Sequence, residues 1–505
     1  MWPRGTTLAV ILGGGETDQR LFPLTDSRAL PAVPAAGSYR LIDFPMSSLI
    51  SSGINKVIVL TQFKSQSLNK YVTQTYNLSS GVPYGGDGFV EVVAASQYPN
   101  QTPKWATGNA DAVRNALFLF GLDSPQQRRV EDVMVLPADQ IYRIDFTSMV
   151  TQHRRSGADV TILCHPCTEE ETCRFGIVQL DPVNGAVLEY AEKPASDTAR
   201  NPLRMLPSDI ARLSAGADAL SHNNTHLRPV RRKGQAAPTP RATAPKVPST
   251  STSAPEYLAS TGIYLFRREV LSSLLEQFPA AKHFGADVLP IAIGQEVTLK
   301  DEWAGGSRGT LGPARLKVFG QVYSGVWSDV GGSIKDYYEA HMAMTTEEGA
   351  AFDPLHYRGT VFQSLNNVPP TANRGTRVVD CVVSGGCVLG ERSRMQNSIV
   401  GKRSVIGNDC TITHSVLLGA DYYEGEHVPQ NRPNPVGDLP PLGIGAGSSI
   451  TRAVIDKNAR IGRGVVVANR EGVYESFDRI AQGVCIRDGI VCLAKGAVLE
   501  DGAVV

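Results

Sequence analysis

The sequence predicts two domains of different class: a mostly parallel, Rossmann-like α/β sheet domain, followed by a parallel β-helix. Two patterns carry this prediction. Short apolar runs alternate with helical stretches over about the first 345 residues, and beyond about Arg374 aliphatic residues recur with a period of six. At 505 residues the chain is long enough to bury two cores.

The first apolar run, Leu8-Ala9-Val10-Ile11-Leu12, enters Gly13-Gly14-Gly15 directly. Glycines after a buried strand let backbone N–H groups approach a phosphate, because no Cβ intervenes, and Arg20 lies close enough to neutralise its charge. Alone, the pattern fits a plain tight turn equally well. Val57-Ile58-Val59-Leu60, Val133-Met134-Val135-Leu136 and Val160-Thr161-Ile162-Leu163 read as further buried strands, with helices over 111–120 and 147–155. Ligands of such sheets sit beyond the carboxyl ends of the strands, where Asp139 falls.

Between about residues 200 and 257 the periodicity fades, and Ala237 to Pro255 is almost entirely Ala, Pro, Thr and Ser. Such a stretch buries too little apolar surface to offset its ordering entropy, so a disordered surface insertion is expected within a first domain spanning 1–345. Residues 346–373 read as a linker, and 374–505 as the second domain. There Val400, Ile406, Ile412, Leu418, Ile444, Ile450, Ile455, Ile461 and Val467 are expected to point into a central stack, with glycines often following at the corners. Asp421 to Leu442 reads as a loop extruded between coils, and the open coil ends call for caps or partners.

Composition narrows the function. Lysine plus arginine equals aspartate plus glutamate at 49 each, so no basic excess points to nucleic acid. No apolar run reaches membrane-spanning length. Met1-Trp2-Pro3-Arg4 leads straight into the first strand, so no leader peptide is expected in this sequence. The eight cysteines begin at Cys164 and are scattered, as in a reducing compartment. Cys164-His165-Pro166-Cys167 has no second Cys/His pair at a matching spacing, so strand-end cysteines are expected there rather than a zinc site.

Several motifs, in order along the chain, resemble those of ADP-glucose pyrophosphorylase (glucose-1-phosphate adenylyltransferase). They include Pro31-Ala32-Val33-Pro34, Tyr39-Arg40-Leu41-Ile42-Asp43, Gly88-Phe89-Val90-Glu91-Val92, Ala110-Asp111-Ala112-Val113-Arg114, Ala191-Glu192-Lys193-Pro194, Gly419-Ala420-Asp421-Tyr422-Tyr423 and Ile455-Asp456-Lys457-Asn458. The wording of Leu21-Phe22-Pro23-Leu24-Thr25 and Pro45-Met46-Ser47 is closer to the plant and green-algal large, regulatory subunit.

The resemblance implies a nucleotidyltransferase domain with a left-handed β-helix, and transfer of an adenylyl group from ATP to glucose 1-phosphate with release of diphosphate. It implies Mg2+ held by Asp139 and Asp329, with Arg20 and Asp139 catalytic. On the substrate side it implies Gly13, Gly14, Gly15, Gln97, Gly108, Gly176, Glu192, Lys193, Ser260 and Asp287. Lys457 and Lys495 would take an anionic activator such as 3-phosphoglycerate, with phosphate as inhibitor, and Arg452, Arg460, Arg463 and Arg487 would add charge nearby. The implied setting is a heterotetramer with a small catalytic subunit in the plastid stroma, or alternatively the cytoplasm.

Some residues depart from the family pattern. The phosphate loop reads Glu16-Thr17-Asp18-Gln19-Arg20, which lacks a glycine and adds a negative charge. Leu30 stands where the small subunit has lysine, and Ala106, Asn109 and Ala138 also differ. These changes imply a regulatory subunit with weak catalysis, and restoring the family's loop spacing together with Leu30→Lys is expected to raise turnover. A non-catalytic scaffold, another sugar-1-phosphate nucleotidyltransferase, and an acyltransferase using His414 are the competing classes.

Overall fold

The computed structural model describes residues 6–14, 18–76, 88–94, 106–120, 130–222, 255–295, 297–298, 310–311, 316–346, 361–363, 368–424 and 439–505. The strands that position the site are β1 (Thr7–Leu12), β2 (Lys56–Thr61), β3 (Phe89–Ala94), β4 (Asp132–Pro137), β5 (Gln140–Tyr142), β6 (Val160–Cys167), β7 (Gly176–Leu180), β8 (Val187–Glu192), β9 (Tyr257–Arg267), β10 (Val318–Val322) and β11 (Trp327–Asp329). A nine-stranded sheet has the order β8-β7-β9-β4-β1-β2-β3, with β6 pairing β9 and β10. The strands around β1 are parallel, whereas β9 runs antiparallel to β4, β6 and β7. β1 reads as an unbroken apolar run because both its faces are covered: Leu8 and Val10 enter one core, Ala9 and Ile11 the other.

The helices used below are α1 (Asp43–Ser51), α2 (Gln66–Thr75), α3 (Asn109–Asn115), α4 (Phe146–Ser156), α5 (Pro207–His222) and α6 (Ile334–Ala343). α5 corrects the expectation of disorder from residue 200. Leu203, Met205 and Ile210 are buried in the sheet domain, and few apolar positions suffice to anchor a helix lying on the surface, so its period is faint in sequence. Residues 223–254, which hold most of the Ala/Pro/Thr/Ser stretch, lie outside the described residues. No helix among the described residues is long and apolar enough to cross a membrane.

The C-terminal strands stack in parallel, coil upon coil. Successive coils are 17 residues apart, as between Ser398 and Ser415, and the interval widens to 38 where the Asp421–Leu442 segment intervenes. Val383, Val400, Leu417, Ile455 and Leu493 form one ladder, and Leu389, Ile406, Ile444, Ile461 and Leu499 another. The strict six-residue period therefore slips at one position. Leu417, not Leu418, enters the stack, because three steps of six overrun a 17-residue coil. Leu418 turns the other way, toward the sheet domain. The stack ends in an antiparallel hairpin, β12 (Val484–Arg487) and β13 (Ile490–Leu493).

The two domains share a core. Leu21, Leu24, Val33 and Phe44 meet Ile399, Val416, Leu418 and Ile490. Leu30 belongs to this core and is 4% exposed. A lysine there would bury its ammonium among these side chains, contrary to the expectation that it would aid turnover. Arg28 clasps Asp456 through two bonds of 3.0 and 2.9 Å, both partners buried. On α6, the Tyr337 hydroxyl donates to Pro34 O at 2.6 Å and the Tyr338 hydroxyl to His414 O at 2.7 Å. His414 thus turns a coil corner at φ 47° while its carbonyl receives α6.

Candidate active site and cation-rich face

The site forms at the carboxyl ends of β1 and β4. Past β1 the Gly13 amide donates to Leu60 O at 2.7 Å, and a Cβ on Gly13 would lie 2.7 Å from that oxygen. Gly14 takes φ 129°, a region reserved for glycine. The two glycines therefore hold the turn close to the end of β2, leaving backbone rather than side chain at the mouth. Gly15 and Gln97 lie outside the described residues.

The structure brings Arg20, Asp139 and Asp329 together. β11 pairs with β5 so that Asp329 lies opposite Gln140, next to Asp139. The Val330 amide donates to Asp139 O at 3.1 Å, and the Gly331 amide to Asp329 Oδ1 at 3.2 Å. Arg20 Nη2 stands 3.7 Å from Asp139 Oδ2. Burial, and then the charge of Asp139, push the Asp329 carboxyl up to about 7. Burial also raises Asp139, and Arg20 opposes it. Two crowded carboxylates that resist joint ionisation form a hard-oxygen donor set suited to a divalent cation. Gly331 is a member that sequence reasoning missed: a Cβ there would come within 2.4 Å of Asp139 Oδ2.

A second cluster gathers the sugar-side residues. Glu192 lies opposite Gly176 in the β7–β8 pair, and its carboxylate accepts a bond from the Tyr190 hydroxyl. A Cβ on Gly176 would lie 2.8 Å from Glu192 Oε2, and one on Gly285 2.5 Å from it, so two glycines flank this carboxylate. Lys193 follows at φ 45°, a strained conformation for a residue with a Cβ, with its amide bonded to Phe175 O at 3.1 Å. Ser260 sits where the β6–β9 register shifts, and its hydroxyl accepts from the Gly262 amide at 3.4 Å.

Gly108 starts α3 against Lys282, where a Cβ would lie 2.2 Å from the carbonyl oxygen. Asn109 Oδ1 accepts from the Phe284 amide at 2.8 Å, and Arg114 holds the Leu275, Phe278 and Ala281 carbonyls. Asp287 is committed locally, accepting from the Lys282 and His283 amides at 2.7 and 2.8 Å. It shapes the loop that carries Gly285. The two clusters are joined through β5. Gln140 donates to Thr261 O at 2.6 Å and accepts from Trp327 Nε1 at 3.0 Å.

Cys164 and Cys167 are buried, and burial pushes both thiols well above their ordinary range, while Cys173 is exposed.

Lys457 and Lys495 also converge, on one carboxylate. Their ammonium groups lie 2.9 and 2.8 Å from Asp421 Oδ1 and Oδ2. Burial works to raise Asp421, but the two lysines outweigh it and hold the carboxyl well below its usual range. Arg28, Arg40 and Lys402 crowd in from α1's approach and a neighbouring coil. Burial lowers Lys457 and brings Lys402 down to about 8. Two of the arginines named from sequence are committed to other carboxylates: Arg460 pairs with Glu424 at 2.6 Å and Arg487 with Glu475 at 3.0 Å. Arg28 and Arg40 come from a segment hundreds of residues away and Lys402 from an earlier coil, so no local spacing marked them.

With this geometry, the match to known proteins is specific. Residues 8–347 match the nucleotidyl transferase family, and the chain belongs to that family. Residues 366–504 match the GLGC left-handed parallel β-helix domain. Joined in one chain, the two make the architecture of the ADP-glucose pyrophosphorylase family.

Proposed function

We propose that the chain is a glucose-1-phosphate adenylyltransferase subunit that converts ATP and glucose 1-phosphate to ADP-glucose and diphosphate, in the role of a regulatory large subunit. The observation that carries this reading is the half-buried Asp139–Asp329 pair with Arg20 reaching in at the carboxyl end of a parallel sheet. The two aspartates would hold Mg2+, which when bound would supply charge neutralisation on the triphosphate. Arg20 would offset phosphate charge as the sugar phosphate attacks in line. Glu192, fixed by Tyr190, would accept bonds from sugar hydroxyls, and Lys193 would face the sugar phosphate as a compact charge. The altered Glu16–Arg20 loop and the apolar Leu30 support slow turnover in this chain alone.

The cation cluster around Asp421 supports control by an anion such as 3-phosphoglycerate, opposed by phosphate, within a heterotetramer containing small catalytic subunits in the plastid stroma. Diphosphate release by the purified chain, alone and mixed with a small subunit, tests the reading with ATP, GTP and UTP. Slow ATP-dependent release, increased by mixing, is expected. Preference for UTP or GTP would overturn the adenylyl reading. Failure of Asp139→Asn in this chain to change any activity would reduce it to a scaffold.

A further inference from the structure

Cys485 and Cys492 are register partners in the β12–β13 hairpin, with Ile486 opposite Val491 and Arg487 opposite Ile490. Directly opposed residues of an antiparallel pair share a face, with Cα atoms about 4.5–5.5 Å apart. A disulfide needs about 4.4–6.8 Å, so closure asks for side-chain rotation rather than backbone movement. No other two cysteines among the described residues are register partners, and all eight are free thiols. Each thiol shifts the other, holding Cys485 below and Cys492 well above the ordinary thiol range, while Cys492 Sγ donates to Ile490 O at 3.7 Å.

The pair is buried, yet β12 is the edge of its sheet. Beyond β13, its strand pairing is one bridge between Ser476 and Ile486. Local opening of such an edge exposes the sulfurs without global unfolding. The hairpin tip also reaches the active-site segments. Asp488 Oδ2 accepts from the Lys335 amide at 3.2 Å, at the start of the helix that follows Asp329. Arg487 Nη1 donates to Phe22 O at 3.5 Å, two residues past Arg20.

We propose that Cys485 and Cys492 form a reversible disulfide, and that its closure changes the hairpin's grip on the segments carrying Arg20 and Asp329. The oxidant is a low-molecular-weight disulfide such as glutathione disulfide. The Cys485 thiolate attacks one of its sulfurs and releases one glutathione thiolate. The Cys492 thiolate then attacks Cys485 Sγ and releases the second. The protein loses two protons and two electrons, and the reagent disulfide becomes two thiols.

The full-length chain is equilibrated with glutathione disulfide or with dithiothreitol, alkylated after unfolding, digested and weighed. Oxidation is expected to protect Cys485 and Cys492 together, in a peptide two hydrogens lighter, and dithiothreitol to restore both. Amide hydrogen exchange on the same two forms is expected to differ roughly fivefold in the peptides spanning Phe22 and Lys335. Cys492→Ser should abolish that difference, with Cys485→Ala as the second variant if the first does not fold. Thiols that stay reactive, or that pair with glutathione or another cysteine, overturn the disulfide. A disulfide with unchanged exchange at Phe22 and Lys335 overturns the coupling.

Discussion

Asp139 and Asp329 share a space with no room for a side chain on Gly331. Each residue's charge disfavours the other's, so a divalent cation relieves both at once. Asp139→Asn or Asp329→Asn should lower the slow turnover of this chain alone at least about a hundredfold, with unchanged circular dichroism. Gly331→Ala should weaken Mg2+ binding without removing a donor, seen as a raised Mg2+ concentration for half-maximal rate. Leu30→Lys should not activate. It should cost about 3 kcal/mol or more in denaturant unfolding, because the ammonium enters the interdomain core. The aspartates were legible because each sits in a short motif of the family's wording. Tyr190, Gly285 and Gly331 were not, because their roles are close approaches visible only after the chain has folded.

At the scale of elements, the β-helix presents Lys457 and Lys495 side by side because their coils are neighbours: the Gly496 amide donates to Lys457 O at 2.9 Å. Asp421 serves both lysines. An incoming phosphate or carboxylate competes with it for the same donors. Lys495→Glu should therefore raise the activator concentration for half-maximal stimulation roughly tenfold in the mixed enzyme. Unchanged response in both Lys457→Glu and Lys495→Glu would remove this face from regulation. The coil itself was legible from its aliphatic repeat, since each turn meets the same packing demand. The slip at Leu418 was not, because the repeat alone does not say that a coil is 17 residues long. α5 escaped for a related reason: a surface helix needs only a few buried positions, and Ser, Asp and Gly fill much of the rest.

At the scale of the molecule, the domain junction contains groups sensitive to charge. His341 is fully buried; its Nδ1 is bonded to Tyr337 O at 2.6 Å and its Nε2 accepts from the Ala36 amide at 3.1 Å. Burial holds it down to about 4, with the Tyr337 carbonyl opposing. The unfolded chain thus takes up this proton first as pH falls. Stability from this group is complete above about 6.5, declines as pH falls toward 4, and levels off below, a loss of about 3 kcal/mol. Thermal midpoints from pH 7 to 4 should fall less steeply in His341→Gln. The regular coil spacing beside this junction has a further consequence. One residue added within a turn would swap interior and exterior positions in the strand that follows. A whole 17-residue unit added in register would only lengthen the column by about 4.8 Å. The domain therefore tolerates growth in whole turns or at corners, and its reach from the sheet domain changes in discrete steps.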